Sequence, residues 1–524
     1  IFTLIICRFL LNKMAQYKLE DITNVFWAYN DGFKVGRDPM GIQNSSIATY
    51  GCLLPGLTNL TGHIRYYSLY CWLLAEYMDM YKSNKTGLHQ YNFIRRAELI
   101  MAFIMKDQGV NAVVGANFVS YNKYEYDEEE EMYIIDSGAD YVKGSDTMYW
   151  SYTSGAFGQY YLGSLLHFKL VKTLGKGFVL GNEGEKLAKA FKNSVDENVR
   201  ELFLDCVVGG GITDEEIEEL RPAGLNAIAL HSEEWHALNN LLVSEDNTAF
   251  GTSSLRRDTI YLMLNDLKSG ETVDTFVEHR YKSYEQDKHI DASFGWYFYY
   301  MCETLHYCIE SILCFLLNKM DEMHNPPVRS LLEESCEGIL SELGDIQQLH
   351  KTIKNWQMKC SGDICLMRSD LKKAIKSGEY TEGVALAIPL LFCLYNEYEA
   401  HKDEVALFES RNDLVRQRGI LSQCLKAYVT CHLQLSPKAY IDTVLRQVMN
   451  EHTYVAIGKM GTSNVDLRKF ILEDGCAVLV EIRYPNETNP RTSSLYNFLE
   501  DLKYLDASNG VADNFIKNYG QERN

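Results

Sequence analysis

Proline is scarce in this chain, and that scarcity constrains its fold more than any other feature. Only nine prolines occur among 524 residues. Because proline interrupts helices and favours turns, so few of them indicate long, uninterrupted helices rather than a many-turned β-sandwich. Hydrophobic residues make up 46% of the chain and charged residues 23%. Such a chain forms a sizeable core and is long enough for roughly three or four domains of about 150 residues each.

Apolar residues recur at helical spacing through most of the sequence, which predicts amphipathic or buried helices. Several such helices bury their apolar faces most readily by packing antiparallel. The predicted helices cover residues 61–82, 90–108, 157–168, 182–192, 256–268, 296–320, 331–349, 370–376, 384–402, 413–435 and 493–505.

One stretch adds a short β-hairpin to these helices. Residues 170–172 and 178–180 are apolar strands on either side of Gly175-Lys176-Gly177, a turn typical of a two-stranded hairpin. A helix precedes this hairpin and another follows it. The order helix, hairpin, helix over residues 149–192 predicts a winged-helix-like segment.

A second such segment is predicted near the C-terminus. Residues 465–472 read as a short helix, 477–484 as a strand, and 493–505 as an amphipathic helix. The predicted fold class is therefore mainly α, in a multidomain helical protein with two winged-helix-like segments that contain short β-hairpins.

Shifts in composition divide the chain into consecutive segments, with Pro326-Pro327 as the best linker candidate. The predicted segments are an N-terminal helical domain over 14–210 with the winged-helix-like segment at about 149–192, a middle helical region over 211–325, a helical bundle over 326–445, and a C-terminal winged-helix-like domain over 446–524.

The first thirteen residues form a separate case. Ile1 to Leu11 is an apolar run too short to span a bilayer, and no charged segment precedes it as in a signal peptide. We expect residues 1–13 to be disordered or to be translated from upstream of a natural start at Met14. A short membrane anchor is the alternative.

Fourteen cysteines are placed as buried thiols rather than as a disulfide framework. Cys302, Cys308 and Cys314 lie in one apolar helical run, and Cys71 and Cys424 have apolar neighbours. A buried free thiol behaves as a small hydrophobic group. With no Cys-x-x-Cys pair present, this usage predicts a reducing compartment, the cytoplasm.

The formal net charge of −20 opposes general binding of polyanions, because phosphate backbones are bound by surplus lysine and arginine. Residues 159–192 are an exception, since they hold six lysines against two glutamates. A basic winged segment of this kind can contact phosphates. The alternative is a structural wing packed within its domain. The candidate nucleic-acid-binding residues are Lys169, Lys172, Lys176, Lys186 and Lys189, with Arg491 beside the second segment.

A dense run of Pro, Gly, Thr and aromatic residues leads into the helix predicted at 61–82. Its Arg65 lies in the first turn of an apolar helix, where a cation is unfavourable unless it has a partner. One interpretation is an internal ion pair with Asp38. The other is a pocket in which the Arg65 fork recognises a carboxylate or phosphate. The candidate pocket residues are Asp38, Thr58, Thr61 and Arg65.

Motifs for metal and nucleotide chemistry are weak or missing. Glu303-x-x-His306 and Glu233-x-x-His236 have the spacing of a di-iron carboxylate site, but such pairs arise by chance in a chain with 13 histidines. No P-loop and no Gly-x-Ser-x-Gly elbow occurs. The sequence therefore predicts no metal and no cofactor.

Several motifs resemble those of bacterial proteins of unknown function. They are Leu54-Pro55-Gly56-Leu57-Thr58 with Arg65-Tyr66-Tyr67 and Trp72, followed by Arg95-Arg96-Ala97-Glu98, Tyr149-Trp150 and Arg256-Arg257. The resemblance covers roughly residues 25–270. It implies a role beside phage-defence or mobile-element operons, and it provides no catalytic residues.

The leading functional hypothesis is a non-enzymatic component of a bacterial defence or DNA-transaction assembly. Its expected partners are DNA or proteins encoded nearby, with no membrane. One alternative is an enzyme of unknown reaction with a site around Asp38 and Arg65. Another is a structural helical scaffold.

Overall fold

A computed structural model describes residues 38–106, 108–110, 112–244, 254–460 and 466–523. The expectations for residues 1–13 lie outside these ranges. The described residues form two compact units, and each unit is built from three separate stretches of the chain. The first unit comprises the described residues up to Thr49, Arg280–Gln286 and Phe294–Thr488; the second comprises Tyr50–His279, Asp287–Ser293 and the residues from Asn489 onward. The division into five consecutive segments stays a prediction.

The described residues fold mainly into helices, which confirms the predicted helical class. Up to Asp287, the α-helices are α1 (Asn44–Leu53), α2 (Arg65–Lys82), α3 (Gln90–Ile104), α4 (Ala116–Ser120), α5 (Ile135–Ala139), α6 (Leu162–His167), α7 (Asn182–Ser194), α8 (Glu197–Gly209), α9 (Asp214–Glu219), α10 (Glu233–Val243), α11 (Ser254–Ser269), α12 (Phe276–Lys282) and α13 (Tyr284–Asp287).

Twelve more α-helices follow in the described part of the chain. They are α14 (Asp291–Glu322), α15 (Val328–Glu342), α16 (Ile346–Leu349), α17 (Ile353–Gln357), α18 (Ile364–Ser377), α19 (Tyr380–Ala400), α20 (Lys402–Arg411), α21 (Asp413–Arg418), α22 (Leu421–Tyr428), α23 (Pro437–Met460), α24 (Thr492–Asp501) and α25 (Val511–Arg523). A π-helical turn at Phe157–Tyr161 runs directly into α6.

Three small antiparallel sheets complete the described architecture. The two hairpins are β3 (Val171–Leu174) with β4 (Gly177–Leu180), and β6 (Phe470–Glu473) with β7 (Cys476–Leu479). The three-stranded sheet has the order β1 (Glu125–Asp127), β2 (Met132–Ile134), β5 (Gly211–Thr213).

The C-terminal hairpin corrects one prediction, because the helix expected over 465–472 is wrong where β6 occupies residues 470–473. Asp474 and Gly475 connect β6 to β7, and both have positive φ, 49° and 79°. A two-residue Asp-Gly loop of this conformation matches the twist of a hairpin. The division by contacts assigns this hairpin to the first unit and α24 to the second.

Helix α14, with 32 residues, is the longest helix among the described residues. Among the described residues, it alone has the length and composition to cross a bilayer, and its most apolar 18-residue window is entirely buried. The same helix carries Glu303, His306 and Glu310, which are also buried. Apolar length of this kind is equally typical of the core helix of a globular unit.

The core of the second unit is centred on α2. Trp72 of α2 stacks on Phe191 of α7, with ring centroids 4.9 Å apart. Tyr66 and Tyr70 of α2 contact Tyr161 of the π-helical turn at 4.9 and 5.3 Å. Each aromatic side chain buries a large area, so these contacts dominate the packing of the unit.

Glycine allows α7 to lie unusually close to the hairpin. A Cβ atom on Gly184, in the first turn of α7, would lie 2.0 Å from the carbonyl oxygen of Leu170. Because that oxygen belongs to the backbone, the contact cannot be relieved by a side-chain rotation. Gly163 in α6 is a natural comparison, since a Cβ there meets nothing within 4 Å.

We expect Gly184→Ala to lower the free energy of unfolding by about 1–3 kcal/mol, the usual cost of overpacking. Gly163→Ala should be neutral or stabilising by about 0.5–1 kcal/mol, because alanine favours helix. Urea unfolding of both variants checks the prediction. Equal stabilities would show that the close approach of α7 is not a constraint.

Candidate functional sites

The loop over residues 54–64, between α1 and α2, is held by side chains from distant parts of the second unit. Arg256 donates to the carbonyl oxygen of Pro55 at 2.8 Å, and Ser494 donates to that of Thr58 at 2.8 Å. Asp501 accepts from the backbone N–H of Ile64 at 3.0 Å. These side chains satisfy backbone polar groups of the loop that no secondary structure pairs, as buried backbone requires.

The candidate pocket residue Arg65 forms a buried bidentate ion pair with Glu234, not with Asp38. Its Nε and Nη2 atoms each lie 3.0 Å from a carboxylate oxygen of Glu234. Its Nη1 donates to the carbonyl oxygens of Pro222 and Gly224. All three nitrogens of Arg65 therefore donate within the fold, so the internal ion pair predicted from the sequence exists with a different partner.

The other candidate pocket residues are also engaged locally. Asp38 belongs to the first unit, where its carboxylate accepts four backbone N–H groups of residues 40–43 at 2.7–3.3 Å. In the second unit, the Thr61 hydroxyl donates to the carbonyl oxygen of Thr58, and the Thr58 hydroxyl accepts from the N–H of Leu60. Asp38 and the other three candidates therefore belong to different units.

We expect Glu234→Gln to destabilise the protein by about 3–5 kcal/mol, because it leaves the Arg65 cation buried without a counter-charge. The matched control is Glu183→Gln, which breaks an exposed pair with Lys186 at 2.8 Å. That change should cost at most about 1 kcal/mol. Denaturant unfolding distinguishes them, and equal costs would exclude an anchoring role for Glu234.

Glu98 of α3 is a buried carboxylate at the start of the π-helical turn. It accepts from the backbone N–H of Ala156 and Phe157 at 3.1 and 2.6 Å, and from the hydroxyls of Tyr70 and Tyr149. Burial raises the pKa of Glu98 above its usual value despite these bonds. Sequence reasoning found Glu98 only within a motif of the resemblance, and its role here is to fix the turn.

In the first unit, α14 places an imidazole between two carboxylates one turn away on either side. His306 Nδ1 lies 2.7 Å from Glu303, and its Nε2 lies 2.9 Å from Glu310. Burial alone would lower the pKa of His306, but the carboxylates of Glu310 and Glu303 outweigh it and hold the pKa well above its ordinary value. Burial opposes ionisation of Glu303 as well, yet His306 and Thr488 lower its pKa to about 2.

Further ionic groups extend this arrangement at both ends. Arg368, whose guanidinium lies over the Tyr300 ring, pairs with Glu487 and acts electrostatically on Glu303. At the other end, Lys459 donates to the carbonyl oxygen of Asp38 and acts on Glu310. Charges of alternating sign thus follow one another through the interior, and each lowers the cost of burying its neighbours.

No group of three or more His, Cys, Asp or Glu side chains in the described ranges is arranged to hold a metal ion. The second Glu-x-x-His pair has ordinary partners in its own unit. Glu233 accepts from the Asn193 amide at 2.7 Å, and the His236 ring packs on Trp235 at 5.1 Å.

Glu451 of α23 is a buried carboxyl group without a hydrogen-bond partner for either oxygen among the described residues. Burial raises its pKa to about 9. It lies close enough to Cys424 and Tyr428 to raise the pKa of both groups, together with their own burial. Glu451 is therefore protonated at neutral pH.

A folded-state pKa of about 9, against about 4 in the unfolded chain, means that the folded protein binds the additional proton between these values. Stability must then fall with rising pH in this window, on the order of 1 kcal/mol per pH unit. Glu451→Gln resembles the protonated form at every pH. We expect the unfolding free energy of the variant, minus that of the wild type, to increase from pH 5 to pH 8. Urea titrations measure both free energies, and a difference that stays constant with pH would exclude a neutral Glu451.

The candidate nucleic-acid-binding lysines are all exposed, while apolar residues between them, such as Phe178, Leu187 and Phe191, are buried. Two sets are distinguished by their positions. The helix lysines, on the solvent face of α7, are the candidates Lys186 and Lys189 together with Lys192 of the same basic segment; the hairpin lysines, on or beside β3 and β4, are the candidates Lys169, Lys172 and Lys176.

The two sets differ in their neighbours. Lys186 pairs with Glu183 at 2.8 Å, and Lys192 pairs with Glu76 at 3.1 Å. Within the described residues, none of the hairpin lysines forms an ion pair. Lys189 also has no ion pair among the described residues, so three of the four unpaired lysines of this region lie at the hairpin.

Arg491, the remaining candidate, is taken up by the interior of the second unit. Its guanidinium lies 4.8 Å from the centre of the Tyr50 ring and donates to the Leu54 carbonyl oxygen at 3.4 Å. Burial lowers the pKa of Arg491. With a positive φ of 68° it also precedes α24, so its structural role accounts for its position.

Comparisons of the chain with protein-family models, with curated proteins and with solved structures found no match. Function is therefore inferred from the side chains and their surroundings.

Proposed function

We propose that the protein is a non-enzymatic interaction component that contacts the phosphate backbone of nucleic acid through the β3–β4 hairpin. In this proposal, residues 149–192 act as a winged helix whose wing is the hairpin. The observation that carries it is the set of three exposed, unpaired hairpin lysines in a chain with a net charge of −20. Such a local surplus is what phosphate binding requires.

The tip of the hairpin has a composition suited to this contact. Leu174 is 65% exposed, and it lies between Lys172 and Lys176. An exposed apolar side chain flanked by cations is a recurrent device in proteins that press against a nucleic-acid groove. Lysine supplies the charge without demanding a particular base.

The hairpin is held in a defined position. The Gln90 side chain exchanges two hydrogen bonds with the backbone of Phe178, at 2.8 and 2.9 Å. The Tyr91 hydroxyl donates to the carbonyl oxygen of Lys176 at 2.6 Å. Because the turn and the first half of β4 are fixed to the start of α3, the lysines at the turn lose little backbone entropy on binding.

The helix before the hairpin does not add to the positive surface. Residues 157–167 contain neither lysine nor arginine, and His167 has its pKa lowered to about 4 by burial and by the nearby Arg256 and Arg491. The proposed contact is therefore with phosphates through the wing, and it depends little on base sequence.

The biological setting is proposed from the sequence resemblance. The resemblance favours a bacterial defence or DNA-transaction assembly whose protein partners are encoded nearby, and the cysteine usage favours the cytoplasm. The buried free thiols Cys71, Cys308 and Cys424 agree with a reducing compartment. A neighbouring gene for a nuclease or an ATPase would support this setting, and an isolated gene would count against it.

The enzymatic alternative has less support. The Arg65 fork that would recognise a substrate is occupied by Glu234 and two carbonyl groups. The scaffold alternative shares the fold but predicts no binding of nucleic acid, so the same experiment decides between it and the proposal.

We expect Lys172→Gln combined with Lys176→Gln to weaken binding of a 20-base-pair DNA duplex by roughly tenfold at low salt. The slope of log affinity against log salt should fall by about 2, since each lost phosphate contact removes about 0.9. Fluorescence anisotropy from about 20 to 200 mM salt measures both quantities.

The matched control is Lys186→Gln combined with Lys192→Gln, which removes the same charge from residues that already have carboxylate partners. This variant should retain most of the affinity and the salt slope. Equal losses in the two variants would refute a specific role for the hairpin. No salt-dependent binding by the wild type would refute the proposal and favour the scaffold.

A further inference from the structure

A cleft of about 570 Å³ lies in the second unit, apart from the hairpin. One wall is α25, which contributes residues at helical spacing from Val511 to Glu522, and the other is α10 with Trp235 and Asn239. Its volume is within the usual range of ligand-binding sites.

The aromatic groups of the cleft are fixed before any ligand arrives. The Trp235 indole N–H donates to the carbonyl oxygen of Leu502 at 2.9 Å. The Tyr504 hydroxyl donates to the Asn239 side chain at 2.7 Å. Trp235 and Tyr504 are buried, at 6% and 4% exposed, so these bonds fix the shape of the cleft before a ligand binds.

The wall formed by α25 is also fixed. Tyr519 stacks on Tyr261 of α11 with centroids 4.1 Å apart, and its hydroxyl donates to Asp258 at 2.8 Å. On the cleft side of this wall, Asn514 and Asn518 are exposed, and their side chains have no hydrogen-bond partner among the described residues. A carboxamide offers one acceptor and two donor hydrogens, which matches the N–H and C=O of a peptide group.

The spacing of these two carboxamides matches an extended peptide. Asn514 and Asn518 are four residues apart on a helix, which separates them by about 6 Å along its axis. In an extended strand, backbone groups that face the same side recur every two residues, at about 6.6–6.8 Å. Two successive carboxamides can therefore bind two successive backbone groups on one side of a strand.

The charge of the cleft favours a neutral ligand. Arg257, its one arginine or lysine, pairs with Glu522 across the cleft lining. A phosphate would have to compete with that carboxylate, whereas a peptide backbone needs no counter-charge. The half-buried side chains of Val243 and Phe515 in the lining provide apolar surface for the peptide's side chains.

From these observations we infer that the cleft between α10 and α25 binds an extended peptide segment of a partner protein, with Asn514 and Asn518 reading its backbone. The site is independent of the hairpin lysines, so it holds whether or not the protein binds nucleic acid.

The test is selection of a displayed library of random nine-residue peptides on the full chain, followed by affinity measurements with the synthesised winners. Asn514→Asp combined with Asn518→Asp keeps the side-chain shapes but removes the amide donors. We expect the affinity to fall at least tenfold. Two further peptides test the backbone contact: one is N-methylated at the odd-numbered residues and the other at the even-numbered residues. One of them should no longer bind, and the other should bind like the unmethylated peptide.

The control is Asn198→Asp combined with Asn355→Asp, which makes the same charge change at exposed positions outside the cleft and should leave the affinity unchanged. Thermal unfolding verifies that both variants fold. Failure to select any peptide would overturn the inference, as would winners that bind the cleft variant equally well. Binding of single-stranded oligo(dA) that depends on Asn514 and Asn518 would also overturn it, in favour of base recognition.

Discussion

Buried guanidinium groups that donate to backbone carbonyls are the interaction on which the second unit depends. Arg65, Arg95 and Arg256 are among its largest fully buried side chains. Among the described residues, Arg256 donates to carbonyl oxygens alone, those of Leu241, Leu242, Ser244 and Pro55, and burial lowers its pKa to about 9. A buried cation is tolerated only when its donors are satisfied, and a buried loop only when its carbonyls are. Here the guanidinium of Arg256 and the carbonyl group of Pro55 satisfy each other, and this bond helps to fix the irregular 54–64 loop without a sheet.

The first unit uses ionic groups differently, because its charges neutralise one another along a series. His306 is charged between Glu303 and Glu310, and Arg368 and Lys459 extend the alternation. Removing one member would leave its neighbours as uncompensated buried charges. Glu451 stands outside the series, and it avoids the cost of a buried charge by remaining protonated.

The parts of the fold that follow from local periodicity could be predicted, and those that depend on distant partners could not. The hairpin around Gly175 and the helix after it follow from turn residues and apolar spacing. Strand β6 is not predicted because residues 465–472 have the apolar spacing of a short helix, and only the Asp474-Gly475 turn after them indicates a hairpin. The partner of Arg65 lies 169 residues away, and no local pattern identifies Glu234 among the many acidic residues.

Candidate binding residues show the same limit. Lys172 and Arg491 are both cations beside predicted hairpins, yet one is exposed and the other stacks on Tyr50 within the unit. Sequence gives the charge of a side chain but not the direction in which it points. The sequence contains the four-residue spacing of Asn514 and Asn518. It does not show that α10 lies opposite them and forms the other wall of the cleft.

The overall charge of the chain links the two proposed surfaces. At physiological salt, a cation acts over a Debye length of about 8 Å, so three hairpin lysines attract phosphate only at close range. The chain as a whole, with its net charge of −20, repels the same polymer. Affinity from the hairpin alone must therefore be weak and salt-sensitive. A neutral peptide-binding cleft on the same unit is insensitive to that repulsion, and a partner bound there raises the effective concentration of any nucleic acid that it carries. The two weak contacts would then support each other without any change in the conformation of the protein.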